Sequence, residues 1–172
     1  MTEEIIETPT ELIAAFWTHA INAAGLNPAE AYVGQDGGLS VLPPAFTFGI
    51  NREQADELAQ LVVSGKKTAT SSLLKLYETA GEAIPQLGDM AIVCSGSGVP
   101  VALISNKEVR VLPFDAVGED VALAEGEGDL SLEYWREVHR EFFSAEAQTE
   151  GVDFSETDEV VVEIFEVIHA AQ

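Results

Sequence analysis

The chain has 172 residues, of which 47% are hydrophobic and 22% are charged, and this composition predicts one globular domain rather than a disordered or fibrous chain. Its 30 acidic and 8 basic residues give a net charge of −22, and such a surface repels phosphate backbones and anionic lipids. Broad binding to duplex DNA or to a membrane is therefore disfavoured, and any contact with nucleic acid has to be local. No apolar run approaches the ~20 residues of a membrane-spanning helix, and the acidic start is unlike a signal peptide, so we expect a cytoplasmic protein.

The single cysteine and the three histidines do not indicate a disulfide or a metal site. Cys94 is the only cysteine, so neither an intrachain disulfide nor a cysteine-cluster metal site can form. It follows the apolar residues 91–93, which favours a buried core thiol over a nucleophile. The three histidines, His19, His139 and His169, lack the spacing of metal ligands. We therefore predict no metal and no other cofactor.

The first 43 residues predict a helix followed by a long loop. Thr8 is a typical cap, a proline follows at the first helical position, and apolar residues at helical spacing continue to Gly25. Residues 27–44 are rich in glycine and proline yet contain apolar side chains, which is typical of an ordered surface loop. We therefore interpret residues 1–43 as an extension packed on a domain that spans residues 44–172.

Two helices and three short strands are predicted in the middle of the chain. Asn51 caps a helix that ends at Gly65, and residues 72–80 are expected to form a shorter helix. The pattern then changes to that of antiparallel strands, which are predicted at residues 90–94, 99–104 and 109–111.

The C-terminal part predicts a long amphipathic helix and a final strand. Ser131 is expected to begin the helix, whose aromatic residues recur at helical spacing and are assigned to the core. Residues 160–168 are rich in β-branched side chains, which favours a strand over a helix. Because helices and antiparallel strands do not alternate in a βαβ rhythm, the predicted class is α+β, with a small twisted sheet or barrel.

A polar, cationic segment at residues 65–72 stands out in this acidic chain. Together with Lys75 it holds three of the eight basic residues and four hydroxyl groups. Backbone amides, hydroxyls and ammonium groups can converge there on a small anionic or carbonyl-bearing ligand. The residue order is not that of a P-loop, and a solvated turn with surface lysines is the alternative interpretation.

Three carboxylates alternate with glycines immediately before the long helix, at Glu125, Glu127 and Asp129. If the segment is extended, this spacing directs all three to one side. Crowded carboxylates can supply a general base or hold a divalent cation, but an acidic loop at a helix N-terminus is the simpler interpretation. On the helix itself, His139 lies one turn after Trp135, and a buried structural histidine is favoured over a catalytic one.

The chain carries, in order, six segments that together resemble the ASCH domain family, whose members are relatives of the PUA RNA-binding domains. These segments are Phe46–Gly49, Ala55–Leu58, Leu61–Ser72, Gly81–Pro85, Leu87–Asp89 and Glu125–Arg136. The resemblance covers roughly residues 44 to 169. It implies a small PUA-like barrel of antiparallel or mixed strands flanked by helices, to which this chain adds an N-terminal helix. Gly65, Lys67 and Thr70 match the family's Gly-x-Lys-x-x-Thr motif, which lies at a cleft.

The resemblance also implies a choice of functions. Many members of the family bind RNA, some resemble ribonucleases, and a compact bacterial branch hydrolyses the acetyl amide of N4-acetylcytidine with a Lys, a Thr and a Glu. These residues carry over to Lys67, Thr70 and Glu127, with Glu125 as the alternative to Glu127. The implied roles are charge stabilisation by the lysine, nucleophilic attack or water positioning by the threonine, and proton transfer by the glutamate. This chain departs from the compact enzymes at Ser72, where they carry Arg, and in its N-terminal extension.

We therefore predict a site for a nucleoside or a single-stranded RNA element, with hydrolysis of an N4-acylated cytidine as the implied activity. A non-catalytic RNA-binding or nucleotide-binding module and a metal-dependent ribonuclease that uses the acidic residues are the alternatives. The predicted catalytic residues are Lys67, Thr70 and Glu127. The predicted ligand-binding residues are Gly65, Lys66, Ser71, Ser72, Tyr77, Glu125, Asp129, Trp135, Arg136 and His139. Tyr77 and Trp135 are the aromatic residues of this set that can stack on a base.

Overall fold

The computed structural model describes residues 10–26 and 42–172. In chain order, its helices and strands are α1 (Thr10–Ala23), β1 (Ala45–Phe46), α2 (Arg52–Val63), β2 (Ala69–Leu73), α3 (Leu74–Ala80), β3 (Met90–Cys94), β4 (Pro100–Pro113), α4 (Glu119–Glu125), α5 (Leu132–Thr149) and β5 (Glu159–Ala170). A short 3-10 helix, Phe114–Ala116, follows β4. Within these residues, none of the helices has the length and apolar character needed to cross a membrane. The fold is α+β, as predicted, whereas the cap predicted at Thr8 lies outside the described residues, as does most of the predicted loop.

The strands form one mixed sheet in the order β1-β3-β4-β5-β2. β1 pairs with β3 in parallel, whereas β3 with β4 and β2 with β5 are antiparallel pairs. The two edge strands do not pair with each other in the described part of the chain, so the sheet is open and the predicted closure into a barrel is wrong. Two features explain the difference: β1 contributes only two residues, and β4 is one strand of 14 residues where the sequence predicts two shorter strands.

The chain divides into two compact units. The first comprises Met1–Gly65, Met90–Ser105 and Glu166–Gln172. In this unit α1 buries Trp17, Ala20 and Ile21 against side chains of β3 and β4, so the predicted N-terminal helix is confirmed. Cys94 is one of the buried residues in that core, as its apolar neighbours predict.

Helix α2 also follows its sequence pattern. The side chain of Asn51 accepts a hydrogen bond from the backbone N–H of Gln54 at 2.9 Å, which satisfies a donor that the helix itself leaves free. The residues that α2 buries lie on one face of the helix, and they are the predicted apolar stripe Ala55, Leu58, Ala59 and Val62.

The second unit comprises Lys66–Asp89 and Asn106–Phe165. Its core is formed by one face of β2 and β5, by α4 and α5, and by the 3-10 helix with the residue that follows it. The buried residues are Leu73, Phe114, Val117, Val121, Ala122, Trp135, Phe143, Ala147, Val160 and Val162. The hydroxyl of Ser131 accepts from the N–H of Tyr134, which caps α5 where the sequence predicts its start. The final strand is also confirmed, whereas α4 is a helix that sequence analysis missed. The boundary predicted between residues 43 and 44 stays a prediction.

Candidate functional site

Two polar clusters lie on opposite faces of β2, in the second unit. Successive side chains of a strand alternate, so Ser71 faces the core with its neighbours at i ± 2, whereas Thr70 and Ser72 face the other way. The antiparallel register extends this division to β5, where Ser71 lies opposite Val162 and Thr70 lies opposite Glu163. The Glu125 cluster contains Lys67, Ser71, Glu125, Glu127, Trp135 and His139. The Glu163 cluster contains Thr70, Ser72, Tyr77, Asn106 and Glu163.

Glu125, the last residue of α4, is the centre of the first cluster and is 2% exposed. The hydroxyl of Ser71 donates to its Oε2 at 3.3 Å, and the indole N–H of Trp135 donates to the same atom. His139 Nε2 lies 3.3 Å from Oε2, and Lys67 Nζ lies 3.6 Å from Oε1. Four polar groups therefore surround one buried carboxylate, and they come from two segments of the chain, residues 67–71 and residues 135–139.

Lys67 connects this carboxylate to a second, more exposed one. Its side chain is 2% exposed, and its ammonium group donates to the carbonyl oxygen of Ala69 at 3.0 Å and to Glu127 Oε2 at 3.2 Å. The side chain of Glu127 is 19% exposed, in contrast to 2% for Glu125. Glu127 therefore forms the solvent-accessible part of the Glu125 cluster.

The charges in this cluster balance. His139 Nδ1 lies 2.8 Å from the carbonyl oxygen of Trp135, and because its Nε2 faces a carboxylate, both ring nitrogens face acceptors. Only the protonated imidazolium donates from both nitrogens. Burial by itself would lower the pKa of His139, but the hydrogen bond and charge of Glu125 raise it. Burial would likewise raise the pKa of Glu125, but His139, Lys67 and the Trp135 indole together lower it. Two cations thus face two carboxylates.

Backbone contacts bring the distant segments of this cluster together. The N–H and the hydroxyl of Thr68 both donate to the carbonyl oxygen of Ala124, at 2.6 Å and 3.1 Å. Gly126 ends α4 with φ +70°, and a Cβ at this position would overlap the carbonyl group of Lys66. The close approach that glycine permits places Lys67 beside the end of α4.

The same residues have the composition of a cation site. Glu125, Glu127 and His139 each offer one ligand atom, and these atoms lie within 4.8 Å of one another. Carboxylate and imidazole groups suit several divalent metals, but a ligating imidazole has to be neutral. In the present arrangement the Lys67 ammonium and the His139 proton already compensate the two carboxylates. A cation would therefore have to displace both charges.

The Glu163 cluster is built without a cation from the described residues. Asn106 Nδ2 donates to Glu163 Oε1 at 2.9 Å and to the carbonyl oxygen of Gln86 at 3.4 Å. The hydroxyls of Ser72 and Tyr77 are hydrogen-bonded at 2.8 Å. The hydrogen bonds described in this cluster thus have uncharged donors.

Burial dominates the electrostatics on this second face. Burial raises the pKa of Glu163; the hydrogen bond from Asn106 opposes this effect, and the charge of Asp89 adds to it. Burial also raises the pKa of Tyr77, with the hydrogen bond of Ser72 opposing and the charge of Glu163 contributing in the same direction. The carboxyl and phenol groups of this face are therefore shifted towards their neutral forms.

The structure divides the predicted site residues between the two clusters. Lys67 and Glu127 lie together, as the resemblance implies, and Glu125 joins them. Thr70, which the resemblance adds to that set, is on the opposite face of β2 because side chains alternate along the strand. No hydrogen bond of its hydroxyl is found within residues 10–26 and 42–172. Trp135 is buried and stacks on His139 with ring centroids 4.2 Å apart, so its ring is not open to a base.

Four other predicted residues lie outside the two clusters. Gly65, in the first unit, has φ +78° in the turn that follows α2. Lys66 is exposed. Arg136 donates to the carbonyl oxygens of Asp115 and Val117, both at 3.3 Å. The acidic segment is not extended as predicted, because Glu125 is helical. The side chain of Asp129 accepts a hydrogen bond from the backbone N–H of Ser131 at 2.9 Å.

Three residues of interest were missed by sequence reasoning. Glu163 and Asn106 lie in strands, and the signal for the former is a single carboxylate within the β-branched run at residues 160–168. Tyr134 is 36% exposed, and its ring lies against Gly128, where a Cβ would overlap it. The sequence feature that could have indicated Tyr134 is Gly128, because a glycine leaves room for a ring beside the acidic segment.

The fold and these clusters define an α+β domain with a small mixed sheet and polar groups on an edge strand. The ASCH domain model matches residues 44–169, and the chain belongs to this family, which is PUA-like and generally binds RNA. An ASCH domain structure from Lactobacillus crispatus JV V101 is 30% identical, with 98% of this chain and 99% of that chain covered and a TM-score of 0.78. A protein structure from Enterococcus faecalis V583 is 31% identical, with coverage of 92% and 88% and a TM-score of 0.79. No curated protein matches the chain.

Proposed function

We propose that the chain binds a nucleoside or a short single-stranded RNA element at the exposed end of the Glu125 cluster, with Glu127 as the contacting residue. The observation that carries this proposal is the Lys67–Glu127 pair, in which the ammonium is buried and the carboxylate, 3.2 Å away, is partly exposed. The ammonium is held by protein acceptors, so it positions Glu127 and leaves part of that carboxylate for a ligand. The RNA binding that is general in the ASCH family supports the class of ligand.

The proposed contact with RNA involves few phosphates, because the chain is strongly acidic and three of its basic residues besides Lys67 are already ion-paired. With a net charge of −22 the surface as a whole repels a phosphate backbone. Lys75, Arg110 and Arg140 are ion-paired with carboxylates of the same chain, which are Asp158, Glu108, Asp120 and Glu156. Contacts with base and sugar groups therefore supply the binding in this proposal.

The same pair supports hydrolysis of the amide of an N4-acylated cytidine, the activity that the family resemblance implies. Glu127 takes a proton from a water molecule, and the hydroxide adds to the acyl carbon. The positive charge of Lys67 stabilises the oxyanion that forms. The C–N bond then breaks while Glu127 returns the proton to N4, which yields cytidine and the carboxylic acid. Water is the nucleophile in this scheme, because Thr70 lies on the opposite face of β2.

Two neighbouring lysines provide a matched test. Lys67→Ala should lower the rate of acetate release from N4-acetylcytidine about 10²–10⁴-fold, because it removes the charge beside Glu127, whereas Lys66→Ala should change it little. Glu127→Gln should be comparably severe, and the double variant with Lys67→Ala should be much less than additive. Circular dichroism establishes that each variant is folded. Equal rates for the two lysine variants would contradict the proposal, and binding that depends on Lys67 without turnover would retain the binding site and reject the hydrolysis.

A further inference from the structure

The Glu163 cluster contains two adjacent polar groups that have no hydrogen-bond partner among the described residues. Glu163 Oε1 accepts from Asn106, but within the described residues Oε2 receives no hydrogen bond. Thr70 is the direct partner of Glu163 in the β2–β5 register, and the structure describes no hydrogen bond of its hydroxyl either. Directly opposed residues have Cβ atoms about 5 Å apart, so the acceptor and the hydroxyl are neighbours. Both side chains are half-buried.

The carboxylate on this face is held in one orientation at a cost to stability. Asn106 is buried and is itself fixed by the carbonyl oxygen of Gln86, so it orients Glu163 firmly. Burial disfavours the charged form of Glu163, and in the described part of the chain no cation is paired with it to offset this cost. A carboxylate that is held in this way, with an oxygen that receives no hydrogen bond from the described residues, weakens the fold slightly but is ready to accept a hydrogen bond from a ligand.

We infer that Glu163 and Thr70 form a second binding site, which recognises a nucleobase edge with an N–H donor next to an acceptor. Glu163 Oε2 accepts from the exocyclic amine, and the hydroxyl of Thr70 donates to the adjacent ring nitrogen, which is the arrangement on the Watson–Crick edges of cytosine and adenine. The class of ligand rests on the proposed RNA binding, whereas the position of the site rests on the Glu163 cluster. This site and the Glu125 cluster lie on opposite faces of β2, so each can be tested separately.

Two side-chain N–H groups report on the two sites in an NMR titration of ¹⁵N-labelled protein with cytidine. The Asn106 amide is hydrogen-bonded to Glu163, and the Trp135 indole is hydrogen-bonded to Glu125. We expect cytidine to shift the Asn106 signals. N4,N4-dimethylcytidine, which keeps the ring but has no N–H donor, should shift them only at much higher concentration.

The variants convert this titration into a test of the residues. In Glu163→Gln the side chain can still accept from Asn106 but presents an N–H in place of the free oxygen, and the affinity read at Asn106 should fall about ten- to hundred-fold. Thr70→Val removes only the hydroxyl and should weaken binding less. Glu159→Gln changes an exposed glutamate on the same strand and should leave the affinity unchanged. The rate of N4-acetylcytidine hydrolysis should be the same in Glu163→Gln as in the unsubstituted protein.

The outcomes separate this inference from the proposed function. If cytidine shifts only the Trp135 indole, or if Glu163→Gln binds as tightly as the unsubstituted protein, the second site is rejected and the proposed function stands. If only the Asn106 signals respond, the second site stands and the Glu125 cluster is not a nucleoside site. If neither signal responds, both proposals are rejected. This outcome is measured on the unsubstituted protein, so it does not depend on the folding of any variant.

Discussion

The two faces of β2 show two different ways to bury polar groups in one small domain. In the Glu125 cluster, Lys67 and His139 face Glu125 and Glu127, so the charges cancel. In the Glu163 cluster, the carboxyl group is oriented by an amide, and no cation of the described residues offsets its burial. The first arrangement is closed except at Glu127, whereas the second leaves an acceptor available.

The two arrangements are expected to contribute differently to the stability of the fold and to the binding of a ligand. A buried charge that is fully paired contributes little net stability, but removing one member leaves the others unpaired and is costly. A polar group whose hydrogen bonds are incomplete weakens the fold slightly and gains its partner only when a ligand binds. We therefore expect substitutions in the Glu125 cluster to affect folding most, and substitutions in the Glu163 cluster to affect binding most.

The largest expected effect follows from removing the centre of the first cluster. Glu125→Ala leaves His139 buried without its carboxylate partner and removes one of the two carboxylates beside Lys67, and we expect the free energy of unfolding to fall by about 3–5 kcal/mol. Glu163→Ala is the matched control from the other face, and because no ion pair between described residues is broken there, it should lower that free energy by about 1 kcal/mol. Urea unfolding followed by circular dichroism measures both values. Equal losses would show that the two faces do not differ in the way described.

Much of the fold could be predicted because local signals and burial agree. The cap of Asn51 and the β-branched run at residues 160–168 specify a helix start and a strand without reference to distant residues. The open sheet could not be predicted, since it depends on how far strands extend and pair. Residues 99–111 contain polar positions that suggest a turn, yet β4 continues through them.

The candidate site was predicted in part, for a related reason. The family resemblance implied a shared site for Lys67, Thr70 and Glu127, and the structure places Lys67 between Glu125 and Glu127. The sequence motif does not show on which face of β2 each residue lies. Thr70 follows Lys67 by three positions, and only the register with β5 reveals that its neighbour is Glu163.

An intermediate effect is expected from an aromatic residue near Glu127. Tyr134 is 36% exposed and its ring lies against Gly128, which follows Glu127 in the chain. If this ring stacks on a bound base, Tyr134→Ala should weaken binding of N4-acetylcytidine by about 1–3 kcal/mol. Phe142, which is 39% exposed on the same helix, is the matched control, and Phe142→Ala should leave the affinity unchanged. Calorimetric titration measures both, and a similar loss in the two variants would argue against stacking by Tyr134.

The smallest expected effect is on the pH dependence of stability, because burial opposes the favourable contacts of both titrating partners in the first cluster. The pKa of Glu125 is lowered on folding, so its contribution is present above its ordinary value of 4.5 and is lost as the pH falls through the folded pKa. The pKa of His139 is raised, so its contribution is present below its ordinary value of 6.5 and is lost as the pH rises through the folded pKa. The pair therefore stabilises the fold most between these two values.

The second face should titrate with the opposite sign in acid. The pKa of Glu163 is raised on folding, so ionising this group disfavours the folded state as the pH rises past its ordinary value of 4.5. Unfolding free energies measured from pH 3 to pH 8 should thus show a weaker rise from pH 3 to pH 5 in Glu125→Gln than in the unsubstituted protein, and a steeper rise in Glu163→Gln. The exposed carboxylates with lowered pKa values, Glu108, Asp120 and Asp129, are common to all three proteins and cancel in the comparison. Changes of the same sign in both variants would remove the electrostatic distinction between the two faces, because only a charge-balanced carboxylate gains from ionisation on folding.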